Sequence, residues 1–206
     1  QGEQLLQRTI DISQWMRHEI NKIDGLRSFG PERVQEGFVT MDPLRVTVDV
    51  SRTGLTGLEV ENLFIEEFDC YPEMATLKNL LLLLTPTDDW DDGRFIVEGL
   101  RTIARKFRAQ GSIPDLPLPS IPSQRILPRD VFYSRHRRPL PVEDAIGLPS
   151  AETIATYPPG SAVLVAGEEI TQEAVEFLRT VRAYGGVLKG ASDPELKIIE
   201  VITDPT

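Results

Sequence analysis

An α/β (α+β) fold is predicted for this chain of 206 residues, and three features of the sequence predict it. Segments whose apolar residues recur every three or four positions alternate with short runs of period two or of unbroken apolar character. A proline-rich stretch then divides the series into a larger unit and a smaller one. The composition, 40% hydrophobic and 26% charged residues, is that of a globular chain long enough to bury a core.

The elements follow in order. Leu5, Ile12, Met16, Ile20 and Ile23 fall on one face of a helix expected to run to about Gly25, a good C-terminal stop. Such a face needs a partner surface. Because the chain opens on Gln1 and enters this periodicity at once, with no methionine, clear cap or leading strand, it reads as a piece cut from something larger. Arg45 to Val50 alternates Val46, Val48 and Val50 against Arg45, Thr47 and Asp49, which predicts a strand with one buried face. Thr56 with Glu59 three residues later is a capping box, and Leu58, Leu63, Phe64 and Phe68 carry the helix to a turn at Asp69 to Pro72. Leu80 to Thr85 is expected as a strand covered on both faces. Asp88, Asp89, Asp91 and Asp92 open a helix that closes on Arg101, Arg105, Lys106 and Arg108, each end matching the helix dipole. The same aspartates could suggest a metal site, but charge at a helix start is the preferred reading.

Ile113 to Pro122 carries Pro114, Pro117, Pro119 and Pro122 and is read as an extended connector. Beyond it, Val131 to Arg138 is expected to be irregular and basic, Val142 to Ile146 a short helical turn, and Tyr157-Pro158-Pro159-Gly160 a rigid turn. Ala162 to Ala166 is read as a buried strand, Thr171 as the cap of a helix ending at Gly185-Gly186, and Leu196 to Ile202 as a last strand. The expected divisions are a connecting helix at 1–24, a small α/β domain at 25–112, a linker at 113–130 and a C-terminal α/β extension at 131–206.

Charge and residue counts exclude several functions. With 32 acidic against 22 basic residues the net charge is −10, which disfavours nucleic acid; the one basic cluster, Arg135-His136-Arg137-Arg138, is short and lacks interleaved aromatics. A single cysteine, Cys70, cannot close an internal disulfide, and no signal peptide or membrane-length apolar run is visible, so a reducing, cytoplasmic setting is expected. With only His18 and His136 present, and no Cys/His spacing, a zinc site or a Cys-His nucleophile pair is hard to assemble. Gly54-Leu55-Thr56-Gly57 lacks the lysine of a phosphate loop and reads as a strand-to-helix turn. Glu73, just before one apolar strand, and Glu168-Glu169, just after another, stand where α/β folds place binding groups, or are solvated loop carboxylates.

Five short motifs in fixed order carry more. Leu127 to Phe132, Pro141 to Gly147, Ser150-Ala151-Glu152, Tyr157 to Gly160 and Gly167-Glu168-Glu169-Ile170-Thr171 together resemble the C-terminal region of the bacterial ornithine/lysine/arginine decarboxylases. Upstream, Asp42-Pro43-Leu44-Arg45-Val46-Thr47-Val48, then Gly54 to Glu59, then Tyr71-Pro72-Glu73 before Leu80 to Thr85, extend the resemblance over nearly the whole chain.

The resemblance implies the small C-terminal domain of an aminotransferase-like, fold-type I, pyridoxal-phosphate-dependent enzyme that decarboxylates a basic amino acid, plus the smaller extension. The cofactor supplies that chemistry. The family's Schiff-base lysine belongs to a large N-terminal domain, and none of Lys22, Lys78, Lys106, Lys189 and Lys197 follows the histidine that precedes it, so this chain alone is expected to be inactive. By resemblance, Glu73 meets the distal cation of the substrate; Tyr157 and Glu168 are further substrate-pocket or interface candidates, with Ala166 standing where the family usually has proline. No cofactor-binding, catalytic or metal residue is assigned here. A homo-oligomer is implied, with no nucleic acid and no membrane as partner. A non-catalytic chain that pairs with a full-length decarboxylase or with the other half of a split enzyme, and a small amino-acid-sensing domain, stay open as alternatives.

Overall fold

The computed structural model describes residues 2–31, 40–107, 113, 115–157 and 159–203. Gln1, Arg108, Pro114 and Pro158, which figure in the sequence reading, lie outside them. The chain divides into two compact units, 1–114 and 115–206. In both, helix and strand mix as the fold class requires, and among the described residues every strand pair is antiparallel.

The first unit opens with α1 (Gly2–Ile20), followed by β1 (Arg27–Ser28), β2 (Arg45–Asp49), α2 (Gly57–Phe68), β3 (Met74–Ala75), β4 (Asn79–Leu83) and α3 (Trp90–Lys106). Its sheet has the order β1-β2-β4-β3. Val46 pairs with Leu82 and Val48 with Leu80, so the alternation of β2 and β4 stacks all four side chains on one buried face. Against that face pack Ile12, Met16 and Ile20 of α1, Val60 and Phe64 of α2, and Val97, Leu100 and Ile103 of α3, in one core.

Two expectations change here. The first helix ends at Ile20, five residues short of Gly25; Ile23 sits in the turns that follow, with Gly25 at φ +88°. Its apolar row lies inside its own unit, since Ile12, Met16 and Ile20 are wholly buried there, and only Leu5 and Leu6 at its start stay open. The face thus finds its partner within the chain. Likewise β4 is covered on one face only: Leu80 and Leu82 are buried, whereas Leu83 is 40% exposed. Arg45, Thr47, Asp49, Leu81 and Leu83 therefore form a second, open or half-buried face.

The helix starts form as their sequences require. Thr56 Oγ1 accepts from Glu59 N–H while Glu59 accepts from Thr56 N–H, a complete capping box. Gly57 is needed beside it, because a Cβ there would lie 2.3 Å from the carbonyl oxygens of Thr76 and Asn79. Asp89 caps α3 reciprocally with Asp92, and Asp88 takes the N–H of Thr85 at 2.5 Å. These aspartates are occupied in starting a helix, and no metal-holding cluster exists among the described residues.

The second unit holds α4 (Pro128–Tyr133), β5 (Arg137–Pro141), β6 (Ile154–Tyr157), β7 (Ser161–Leu164), α5 (Gln172–Ala183), β8 (Val187–Lys189) and β9 (Ile198–Ile202). Strands β7-β6-β8 form one sheet and β5-β9 a second. Ile154, Leu164, Ile170, Val175, Leu178, Leu188, Leu196, Ile199 and Val201 make its core. The segment expected to be irregular, Val131 to Arg138, instead ends α4 and begins β5. Prolines disguised that strand: Val142 N–H donates to Lys197 O at 3.1 Å, so by two-residue alternation the nitrogens of Pro139 and Pro141 face away from β9, where no donor is required. The stretch read as a buried strand, Ala162 to Ala166, is an edge strand, Ser161–Leu164, with Ser161 and Ala162 exposed and Leu164 buried. Leu116 to Ser120 of the proline-rich stretch lie along α5, with Ser120 N–H donating to Glu173 at 3.1 Å; Leu116, Leu118, Phe177 and Thr180 help line a groove of about 530 Å³ there.

Candidate functional site

Glu73 stands in the turn between α2 and β3. Its N–H donates to Leu81 O at 2.9 Å, which fixes the backbone to β4 and leaves the carboxylate, 44% exposed, free to turn outward. Arg45, on the open face of β2, reaches it: Nη1 lies 3.7 Å from Glu73 Oε1, and Nε lies 3.6 Å from Asp42 Oδ2. One guanidinium thus serves two carboxylates, and the trio keeps one net negative charge.

The backbone beneath this trio is held from inside. Arg17, only 7% exposed, donates from Nη2 to Pro43 O (2.8 Å) and Arg45 O (3.0 Å), from Nε to Phe29 O (3.2 Å) and from Nη1 to Ser13 Oγ (3.1 Å). Asp42 adds a turn of its own by accepting from Leu44 N–H at 2.9 Å. Arg45 is therefore anchored through its main chain, and its side chain alone is at liberty to move.

The sequence reading missed Arg17. The signal was present: Thr9, Ser13 and Arg17 repeat every four residues beside the apolar row of α1, and all three are buried. A polar stripe that keeps helical phase with a core face marks side chains bonded inward.

In the second unit the structure separates the remaining candidates. Glu168 Oε2 accepts from Val165 N–H at 2.7 Å, while Glu168 N–H donates to Val165 O at 2.9 Å, so its carboxylate closes its own turn. Val165 directly follows Leu164, the partner of Ile154 at the start of β6; Tyr157 is at that strand's far end, 54% exposed, its ring beside Gly160. Gly160 holds φ +92° and donates to Thr156 O at 2.7 Å, which makes the turn tight and leaves the ring outside. Glu73 belongs to the first unit.

Within the motif Ser150-Ala151-Glu152 the roles are structural. Ser150 Oγ accepts from Glu152 N–H at 3.0 Å, and Glu152, 7% exposed, takes Ser192 N–H at 3.2 Å, pinning the loop after β8. The sequence reading names Glu152 only as part of a motif; its burial has no signal in a stretch without periodicity.

The lysines do not fit a pyridoxal phosphate site. Lys22, Lys106, Lys189 and Lys197 are exposed; Lys22 is bonded to Glu19 at 2.6 Å and Lys106 to Glu67 at 2.7 Å, and Lys78 is half-buried in the turn before β4. A Schiff-base lysine needs an enclosed pocket with a carboxylate for the ring nitrogen and ligands for the phosphate. None of these five positions has that setting among the described residues.

No family model matches the chain. It is 31% identical to the arginine decarboxylase of Bacillus subtilis over 208 residues, covering 99% of this chain and 42% of that protein. With the arginine decarboxylase of Bacillus anthracis it shares 29% over 208 residues, with the same coverage. Among solved structures, the lysine decarboxylase of Francisella novicida superposes with a TM-score of 0.73 at 17% identity, over 98% of this chain and 40% of that one. The constitutive lysine decarboxylase of E. coli gives 0.70 at 18%, over 98% and 41%. The sequence matches show homology to part of the arginine decarboxylases, and the structural ones show a fold shared with the C-terminal portion of the lysine decarboxylases. The chain spans about two fifths of the length of these relatives.

Proposed function

We propose, with homology to part of the arginine decarboxylases as premise, that this chain is the C-terminal part of a pyridoxal-phosphate-dependent decarboxylase of a basic amino acid, ornithine, lysine or arginine. In this reading it supplies substrate-pocket and subunit-interface elements, and the lysine that binds the cofactor lies in another part of the polypeptide. When bound, pyridoxal phosphate supplies the electron sink for loss of the carboxyl group. The setting is cytoplasmic and the assembly a homo-oligomer with the large domain in place; among the described residues no helix is long and apolar enough to cross a membrane.

The observation that carries the reading is Glu73. Its backbone is fixed to β4, its carboxylate is open, and the trio it forms with Asp42 and Arg45 has room in charge for one further cation. A substrate ammonium or guanidinium held partly away from water needs such an acceptor, and the charge-assisted bond also selects side-chain length.

The test is Glu73→Gln in the decarboxylase-length polypeptide, which preserves size and hydrogen bonding but deletes the charge. Catalytic efficiency toward the basic substrate is expected to fall roughly thirty- to hundredfold, on the order of 2–3 kcal/mol, while pyridoxal phosphate stays bound. Near wild-type efficiency with lysine, ornithine and arginine alike returns Glu73 to a solvated loop carboxylate.

A further inference from the structure

If Glu73 receives the cation of the substrate, Arg45 is its rival, and we infer that Arg45 sets the affinity of this site by competing for the Glu73 carboxylate, with Asp42 as the second acceptor onto which it withdraws. The inference rests on the reading of Glu73 just given and adds two residues to it.

The geometry has the parts such an exchange needs. Arg45 bridges the two carboxylates at nearly equal distances, 3.7 Å to Glu73 and 3.6 Å to Asp42, so releasing one leaves the guanidinium still paired with the other. All three side chains are between 44% and 49% exposed, the regime in which an ion pair is weak enough for an incoming cation to break. Arg17 clamps the main chain at Pro43 and Arg45, so the exchange is a side-chain rotation that leaves β2 in place. Electrostatics fixes the direction of the effect. A second cation brought to Glu73 meets the like charge of Arg45 across a few ångströms, and that repulsion falls when Arg45 turns toward Asp42. Deleting Arg45 therefore frees Glu73 and removes the repulsion, whereas neutralising Asp42 removes the retreat and ties Arg45 to Glu73.

The experiment measures the dissociation constant of agmatine, the amine that arginine leaves on losing its carboxyl group, by calorimetry on the decarboxylase-length polypeptide, with melting temperatures recorded to exclude misfolded variants. Arg45→Met is expected to tighten agmatine about three- to tenfold, Asp42→Asn to weaken it about two- to threefold, and Arg45→Lys, which keeps the charge, to stay near wild type. The amide oxygen that Asp42→Asn introduces can still accept the Leu44 N–H, so that substitution leaves the turn intact. In a Glu73→Gln background the gain from Arg45→Met is expected to shrink to what relief of the like-charge repulsion alone provides. Unchanged or weakened binding in Arg45→Met, with Glu73→Gln still harmful, overturns the inference and leaves the Glu73 reading standing; so does an Arg45→Met gain that Glu73→Gln leaves undiminished. Unchanged agmatine binding in Glu73→Gln alone overturns the reading of Glu73 itself.

Discussion

A guanidinium on a residue only 7% exposed is tolerable where its donors are met, and Arg17 meets four oxygens, three of them main-chain carbonyls. Arg17→Met keeps the length and apolar stem but strips the carbonyls of Phe29, Pro43 and Arg45 of a donor. A loss of about 3 kcal/mol is expected, read as a lower urea midpoint, with amide shifts of Leu44 and Arg45 moving in the NMR spectrum. A loss below ~1 kcal/mol shows that water replaces the guanidinium and that Arg17 is no clamp. At this scale legibility was uneven. Glu73 stood out in the sequence because a carboxylate between a Tyr-Pro turn and an apolar strand is conspicuous, and the structure places it on the surface beside Arg45. Arg17 did not stand out, since its meaning depends on three carbonyls contributed by chain 12 to 28 residues away.

Elements announced themselves wherever a side chain closed a local bond. The caps at Thr56, Asp89 and Thr171 act within three residues, so the sequence contains all of their chemistry. Strands β1, β3 and β8, of two or three residues, left no such trace; pairing with distant chain defines them, and a run that short has no period. The turn into β9 shows a local device of another kind. Asp193 accepts from the N–H groups of Glu195, Lys197 and Ile198, and the first two bonds hold its carboxyl below its ordinary value of 3.8. These bonds close the turn in which Leu196, buried at 1% exposure, adopts φ +52°. Because the folded pKa is depressed, the stabilisation is complete above the unfolded value and drains away as pH falls through the lower folded one. Urea midpoints followed from about pH 6 to about pH 2.5 are expected to drop more steeply below roughly pH 4 in the wild type than in Asp193→Asn. Parallel curves refute the assignment.

For the molecule as a whole, net charge sets which large partners can approach. At −10 the chain is expected to pass through a heparin column at about 0.15 M salt without retention, despite the run Arg135 to Arg138. Elution only above roughly 0.5 M would show that the local cluster outweighs the total. That run is partly committed already: Arg137 Nη2 donates to Val131 O at 2.9 Å, and Arg137 and Arg138 are ladder residues of β5. The same strand bears on how copies of the chain meet one another. A strand at a sheet's rim is a template on which another chain can dock and, repeated, lengthen into fibrillar aggregate. Newcomers need a donor at every second residue, and on its outer side β5 offers proline nitrogens at 139 and 141, which carry no hydrogen. The outer rim of β5 keeps its carbonyl acceptors but is without donors at 139 and 141, so a ladder begun there cannot be completed.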